Sequence, residues 1–147
     1  MHSLHYSIAI QAPKARVHQL MLADKTYREW TAPFAEGSYY QGSWEQGAQI
    51  LFTNADAGTS MSARIAVHRP AEFISIEWLG ILNNGVLDTA TQIQGAYENY
   101  TYIEKDGVTT LQVELKGLPA EWAEYLNTSW PKALEKLKTI CERGYST

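Results

Sequence analysis

One long helix with a single apolar stripe occupies the last quarter of the chain, and no helix of comparable length is present to cover it. Trp122, Leu126, Trp130, Leu134, Leu137 and Cys141 recur at intervals of three and four, so they share one face of a helix that opens at Pro119. Gly144 is placed to end that helix, and Pro131 interrupts it: either the helix kinks there or a new one begins with Ser129 as its cap. A stripe of this kind has to be buried, and the material available to bury it is strand.

Leu4, Tyr6, Ile8 and Ile10 alternate with polar or small residues as a half-buried strand. Pro13 suits the first turn of a helix carrying Val17, Leu20 and Met21, and Asp24 suits the cap of a second short helix through Trp30. Strands are then expected over Ser38–Trp44, Gln49–Thr53, Met61–Val67, Phe73–Leu79, Tyr97–Ile103 and Val108–Leu115. A turn is expected around Asp56–Gly58 and another at Asn83-Asn84-Gly85, and Lys105-Asp106-Gly107 reads as a hairpin. Gly80–Gln94 reads as the least structured stretch. The expectation is a single α+β domain over residues 1–147: a curved antiparallel sheet of about six to seven strands around the C-terminal helix, with two short helices after the first strand. If the sheet curls around the helix, the gap between them becomes a pocket.

Composition narrows the function classes. The 147 residues are 45% hydrophobic and 19% charged, which excludes intrinsic disorder. No apolar run approaches the ~20 residues of a membrane span, and the residues after Met1 lack a basic-then-apolar signal segment, so a cytoplasmic protein is expected. Residues 29–104 carry nine acids against Arg64 and Arg69, which disfavours nucleic acid and anionic membrane as partners.

Catalytic signatures are absent. Cys141 lies on the apolar stripe, where a cysteine behaves as a small hydrophobe. There is no Gly-x-Ser-x-Gly elbow and no phosphate-binding glycine loop. His2, His5, His18 and His68 show no ligand spacing, so neither a metal nor a cofactor is expected. Two carboxylates invite more attention. Glu77 lies in the strongest strand and Glu98 begins a tyrosine-rich one; either would have a raised pKa if it pointed into an apolar cavity. Alternation nevertheless places Glu77 opposite Trp78, where it would simply face water.

The aromatic residues point to a ligand. Trp78, Trp122 and Trp130 lie on elements expected to line the gap, and Trp30, Phe34, Tyr39, Tyr40 and Trp44 are expected near its mouth. The same rings would also serve as core, and only an unfilled volume separates the two readings.

Several stretches resemble the START-like (SRPBCC, helix-grip) superfamily. They are Ala12-Pro13 to Val17; Glu29-Trp30 to Gly37-Ser38-Tyr39-Tyr40; Arg69-Pro70 with Glu72–Glu77; Glu98-Asn99-Tyr100-Thr101; and Trp130-Pro131 to Leu137. The closer resemblance is to the branch of activator-of-heat-shock-chaperone-ATPase homologues. It implies a helix-grip fold with an apolar cavity between sheet and last helix, in a superfamily that spans carriers, polyketide cyclases and co-chaperone domains. The leading expectation is a binding protein for an apolar or aromatic small molecule, contacted by Trp78, Tyr100, Trp122 and Trp130 with Glu77 as polar anchor. The alternatives are an interaction module acting on a chaperone ATPase, marked by an exposed apolar patch, and a cyclase or hydrolase using a buried carboxylate. Edge strands leave both a monomer and a homodimer open.

Overall fold

Apolar alternation and turn chemistry together set the order of elements. A computed structural model describes residues 3–54, 58–89 and 92–143. Strand β1 (Ser3–Ile10) leads into helices α1 (Lys14–Leu22) and α2 (Asp24–Trp30). The strands β2 (Tyr39–Gly42), β3 (Gln49–Thr53), β4 (Thr59–Arg69), β5 (Phe73–Asn83), β6 (Val86–Leu87), β7 (Tyr97–Lys105) and β8 (Val108–Lys116) follow. A 3-10 turn at Ala120–Trp122 then opens into helix α3 (Ala123–Glu142).

The strands form one antiparallel sheet in the order β1-β8-β7-β5-β4-β3-β2, with β6 paired to the far end of β5. Register shifts at Ser62/Ala63 and Ile65/Val67 interrupt the long β4–β5 ladder, and irregularities of this kind bend a strand. The β7–β8 hairpin turns on Asp106 and Gly107, both at positive φ (53° and 79°), the backbone that a tight two-residue hairpin turn demands. The sheet, the helices and the order of elements are those of an α+β helix-grip fold.

Helix α3 is unbroken. Pro131 lies inside it and Ser129 is buried within it, so no second helix begins there. An interior proline costs about 3 kcal/mol, and full burial of each large apolar side chain contributes ~1.5–3 kcal/mol. Leu126, Trp130, Leu134 and Leu137 are all buried along one stripe, which offsets the proline several times over. Arg16 of α1 donates to the carbonyls of Cys141 (2.7 Å) and Arg143 (3.1 Å), supplying the last turn with a cation and hydrogen bonds. Gly144, expected to end the helix, lies outside the described residues.

Three further expectations are adjusted. Pro13 is the residue before α1 rather than its first turn, and Asp24 begins α2 inside the helix, where it pairs with Arg28. Strand β5 does not stop at Leu79 but continues through Gly80 to Asn83, because Ile81 is buried opposite Met61 of β4. Asn84 and Gly85, at φ 51° and 81°, then turn the chain into β6, so part of the stretch expected to be least structured is a hairpin. The turn expected around Asp56–Gly58 falls largely outside the described residues. Among the described residues no helix is long and apolar enough to cross a membrane.

Candidate functional site

The rings do not fill the space between sheet and helices. A cavity of about 460 Å³ lies there, within the range of small-molecule sites. Tyr27, Trp30 and Phe34 enter it from α2 and the segment after it, Phe52 from β3, Met61 from β4 and Trp78 from β5. Trp122, Leu126 and Trp130 close it from the C-terminal side. Thr59, Glu121 and Tyr125 are exposed lining residues and mark its mouth.

Trp130 is the hub of this wall. Its ring meets Phe34 edge-on at 4.9 Å and lies 6.1 Å from both Trp30 and Tyr100, while Tyr6 of β1 stacks on it at 5.9 Å. The Tyr6 hydroxyl donates to Asn127 Oδ1 at 2.6 Å, tying β1 to α3 beside the same indole. On the other side, Trp78 meets Phe52 edge-on at 5.4 Å and is paired across β4 with Ala63, whose small side chain leaves room for the indole.

Four of the five residues expected to contact a ligand are therefore brought together: Trp78, Tyr100, Trp122 and Trp130. Glu77 is not among them. It lies on the opposite face of β5 and forms an ion pair with Arg64 of β4, Nη2 to Oε1 2.8 Å. The physical reason is alternation: with Ile74, Ile76 and Trp78 buried against the helices, residue 77 has to point away. Of the rings expected at the mouth, Trp30, Phe34 and Trp44 line the cavity. Tyr40 instead donates to the carbonyl of Leu22 at 2.6 Å, and Tyr39 lies under the Arg28 guanidinium.

The carboxylate of the site is Glu98. It stands opposite Ile76 of β5 and Leu115 of β8, on the same face of β7 as Tyr100, whose hydroxyl donates to its Oε2. Glu98 is one of the residues that line the cavity. Burial pushes this carboxyl up to about 7, with the Tyr100 hydrogen bond pulling partly the other way. Burial, and then the proximity of Glu98, also raises the hydroxyls of Tyr100 and Tyr27, so both remain protonated at neutral pH. Tyr27, Phe52 and Met61 were not expected in the lining. The spacing of Tyr27 and Trp30 on one helix face, and of Ile50 and Phe52 on one strand face, was the available signal.

Outside the cavity, the fold joins two histidines that are distant in sequence. His18 of α1 and His68 of β4 meet Nε2 to Nε2 at 2.9 Å, and His68 Nδ1 lies 2.7 Å from the carbonyl of Trp44. A carbonyl only accepts, so His68 Nδ1 carries the proton and His18 Nε2–H donates to His68 Nε2. Burial, followed by the charge of His68, lowers the His18 pKa. Among the described residues no cluster of three or more metal-ligating side chains occurs. Burial also pushes the Cys141 thiol up to about 12, too high for a nucleophile at neutral pH.

No family model matches the chain, and no curated protein matches it either. Solved structures do. Protein MLL2253 from Mesorhizobium loti superposes with a TM-score of 0.78 at 16% identity, over 99% of this chain and 100% of that one. The Aha1 dimer from Colwellia psychrerythraea superposes with a TM-score of 0.73 at 15% identity, over 99% and 100%. CalU16 from Micromonospora echinospora gives 0.70 at 16% identity, over 98% and 76%. At such identities the likeness is one of fold, and the fold these structures share with the chain is the helix grip.

Proposed function

We propose that this protein binds an apolar or aromatic small molecule in the cavity between the sheet and α3. The supporting observation is the cavity itself: about 460 Å³ left open among large rings that would otherwise have served only as core. Trp78, Tyr100, Trp122 and Trp130 are the proposed contacts, and Glu98 takes the polar role. The test is native mass spectrometry of the purified protein, then thermal-shift screening with apolar ligands. A ligand at a hundredfold excess over its Kd adds about 2.7 kcal/mol, a readily measured rise in Tm. No adduct and no shift across a broad apolar library would remove this reading.

A second reading is an interaction module of the chaperone-ATPase-activator branch, supported by the similarity to the Aha1 dimer. The exposed Val86 and Leu87, 68% and 57% accessible at the β5–β6 hairpin, are the patch such a module would use. Replacing both with serine would then abolish chaperone-ATPase stimulation while leaving cavity binding intact.

A further inference from the structure

Resting on the ligand-binding reading, we infer that the cavity's ligand is a lipophilic organic cation: an ammonium group carried on an aromatic or apolar body. Three independent features of the lining converge on this class.

The first is charge. Glu98 and Glu121 line the cavity, and no lysine, arginine or histidine does among the described residues. At pH 8, where Glu98 is ionised, a carboxylate ligand would meet like charge and no counter-ion in a partly dehydrated space, so fatty-acid-like anions are disfavoured on electrostatic grounds.

The second is hydrogen-bonding capacity. The hydroxyl protons of Thr31, Ser38 and Tyr125 are already donated to the backbone carbonyls of Tyr27, Ala35 and Phe34, and that of Tyr100 goes to Glu98. The Glu98 carboxylate, which accepts from Tyr100 at Oε2, is itself part of the cavity lining. The Trp44 and Trp78 Nε1–H groups, buried and without a hydrogen-bond partner among the described residues, leave donors on this wall too. What favours a cation over a neutral donor is the charge of the Glu98 carboxylate, which a protonated amine complements in both hydrogen bond and charge.

The third is the rings. Trp30, Trp78, Trp122 and Trp130, with Tyr27 and Tyr100, surround the same volume. Aromatic faces attract cations through their quadrupole, tryptophan most strongly, and a desolvated contact is worth more than an exposed one. Rings alone would suit any flat apolar molecule. Rings around carboxylates, with no base among the described lining residues, select the charged amine.

The experiment compares three probes of nearly equal shape by calorimetry at pH 8: 2-(2-naphthyl)-N,N-dimethylethylamine, 2-(2-naphthyl)ethanol and 2-naphthylacetic acid. The amine is expected to bind roughly tenfold or more tighter than the alcohol, and the acid to bind weakest. Glu98→Gln should reduce the amine-to-alcohol ratio to about threefold or less while leaving alcohol affinity nearly unchanged, because the amide keeps the shape and removes the charge. Glu77→Gln, on the far side of the sheet, should leave the ratio as it is. An alcohol or acid that binds wild-type protein as tightly as the amine overturns the inference and leaves the ligand-binding reading standing. A preference for amine that survives Glu98→Gln overturns the role given to that carboxylate. If none of the three binds, the inference falls together with the ligand-binding reading.

Discussion

Glu77 and Glu98 lie on neighbouring strands one register step apart, since Ile76 faces Glu98 and Glu77 faces Tyr97. Their surroundings nonetheless differ sharply. Glu77 is on the outer face with the Arg64 guanidinium at 2.8 Å. Glu98 is on the helix-covered face, with tyrosines for neighbours and no cation among the described lining residues. The single step that separates them is a change of face, and face decides whether a carboxylate is a solvated half of an ion pair or a charged group held in an apolar wall. That difference is open to three tests of decreasing size.

The largest effect is expected on the covered face itself. Trp130 is only 3% accessible and packs against Tyr6, Trp30, Phe34 and Tyr100. Trp130→Ala should lower the stability to urea by ~3–5 kcal/mol, the usual penalty for deleting a large buried ring. A loss under about 1 kcal/mol would mean that the wall is loosely packed and that the cavity is not shaped by it.

The next test exploits the Glu98 carboxyl. Its folded pKa of about 7 lies above the ordinary 4.5, so between those values the folded state holds more protons than the unfolded one. Stability from this group is therefore fully present below about pH 4.5 and is lost as pH rises through about 7. Glu98→Gln removes the ionisation and can still accept from Tyr100. The variant and wild type should match near pH 4.5, and the variant should become more stable by ~2 kcal/mol by pH 8, read from Tm against pH. Parallel curves across that range would show that Glu98 is solvated after all.

Much of this contrast was legible in the sequence. The alternation Ile74-x-Ile76-x-Trp78 defines the covered face of β5 and so sends Glu77 outward; the expectation of an anchor at Glu77 ran against that pattern. The same reasoning on the β7–β8 hairpin sets Glu98, Tyr100 and Tyr102 against Leu115, Val113 and Leu111, which places the Glu98 charge among apolar side chains. The long stripe of α3 and the hairpin at Asp106-Gly107 were equally readable, because both are local patterns. Other features depend on contacts distant in sequence. The continuation of β5 past Gly80 rests on Ile81 meeting Met61, the survival of α3 through Pro131 rests on tertiary burial, and the His18–His68 contact joins residues fifty positions apart. Local propensity does not encode such contacts. The unfilled volume was the least legible of all, since a ring that lines a cavity and a ring that fills a core occupy the same positions in a periodic pattern.

The smallest expected effect belongs to the outer face, and its smallness is the informative part. Arg64 Nε and Nη2 both reach Glu77 Oε1, at 3.2 and 2.8 Å, yet the two side chains remain 46% and 24% accessible. A pair exposed to this degree contributes ~0.2–1 kcal/mol, because water competes for both charges and two long side chains are ordered to make the contact. Glu77→Gln should therefore lower stability by under ~1 kcal/mol, and most of that difference should vanish in 1 M salt, where screening acts over only about 3 Å. The same substitution at Glu98 acts with the opposite sign at pH 8. Removing a charge that water and arginine both stabilise weakens the fold, whereas removing one that neither stabilises strengthens it. If Glu77→Gln and Glu98→Gln shifted Tm in the same direction at pH 8, the two faces would not differ electrostatically. The polarity assigned to the cavity would then have to come from Glu121 at its mouth.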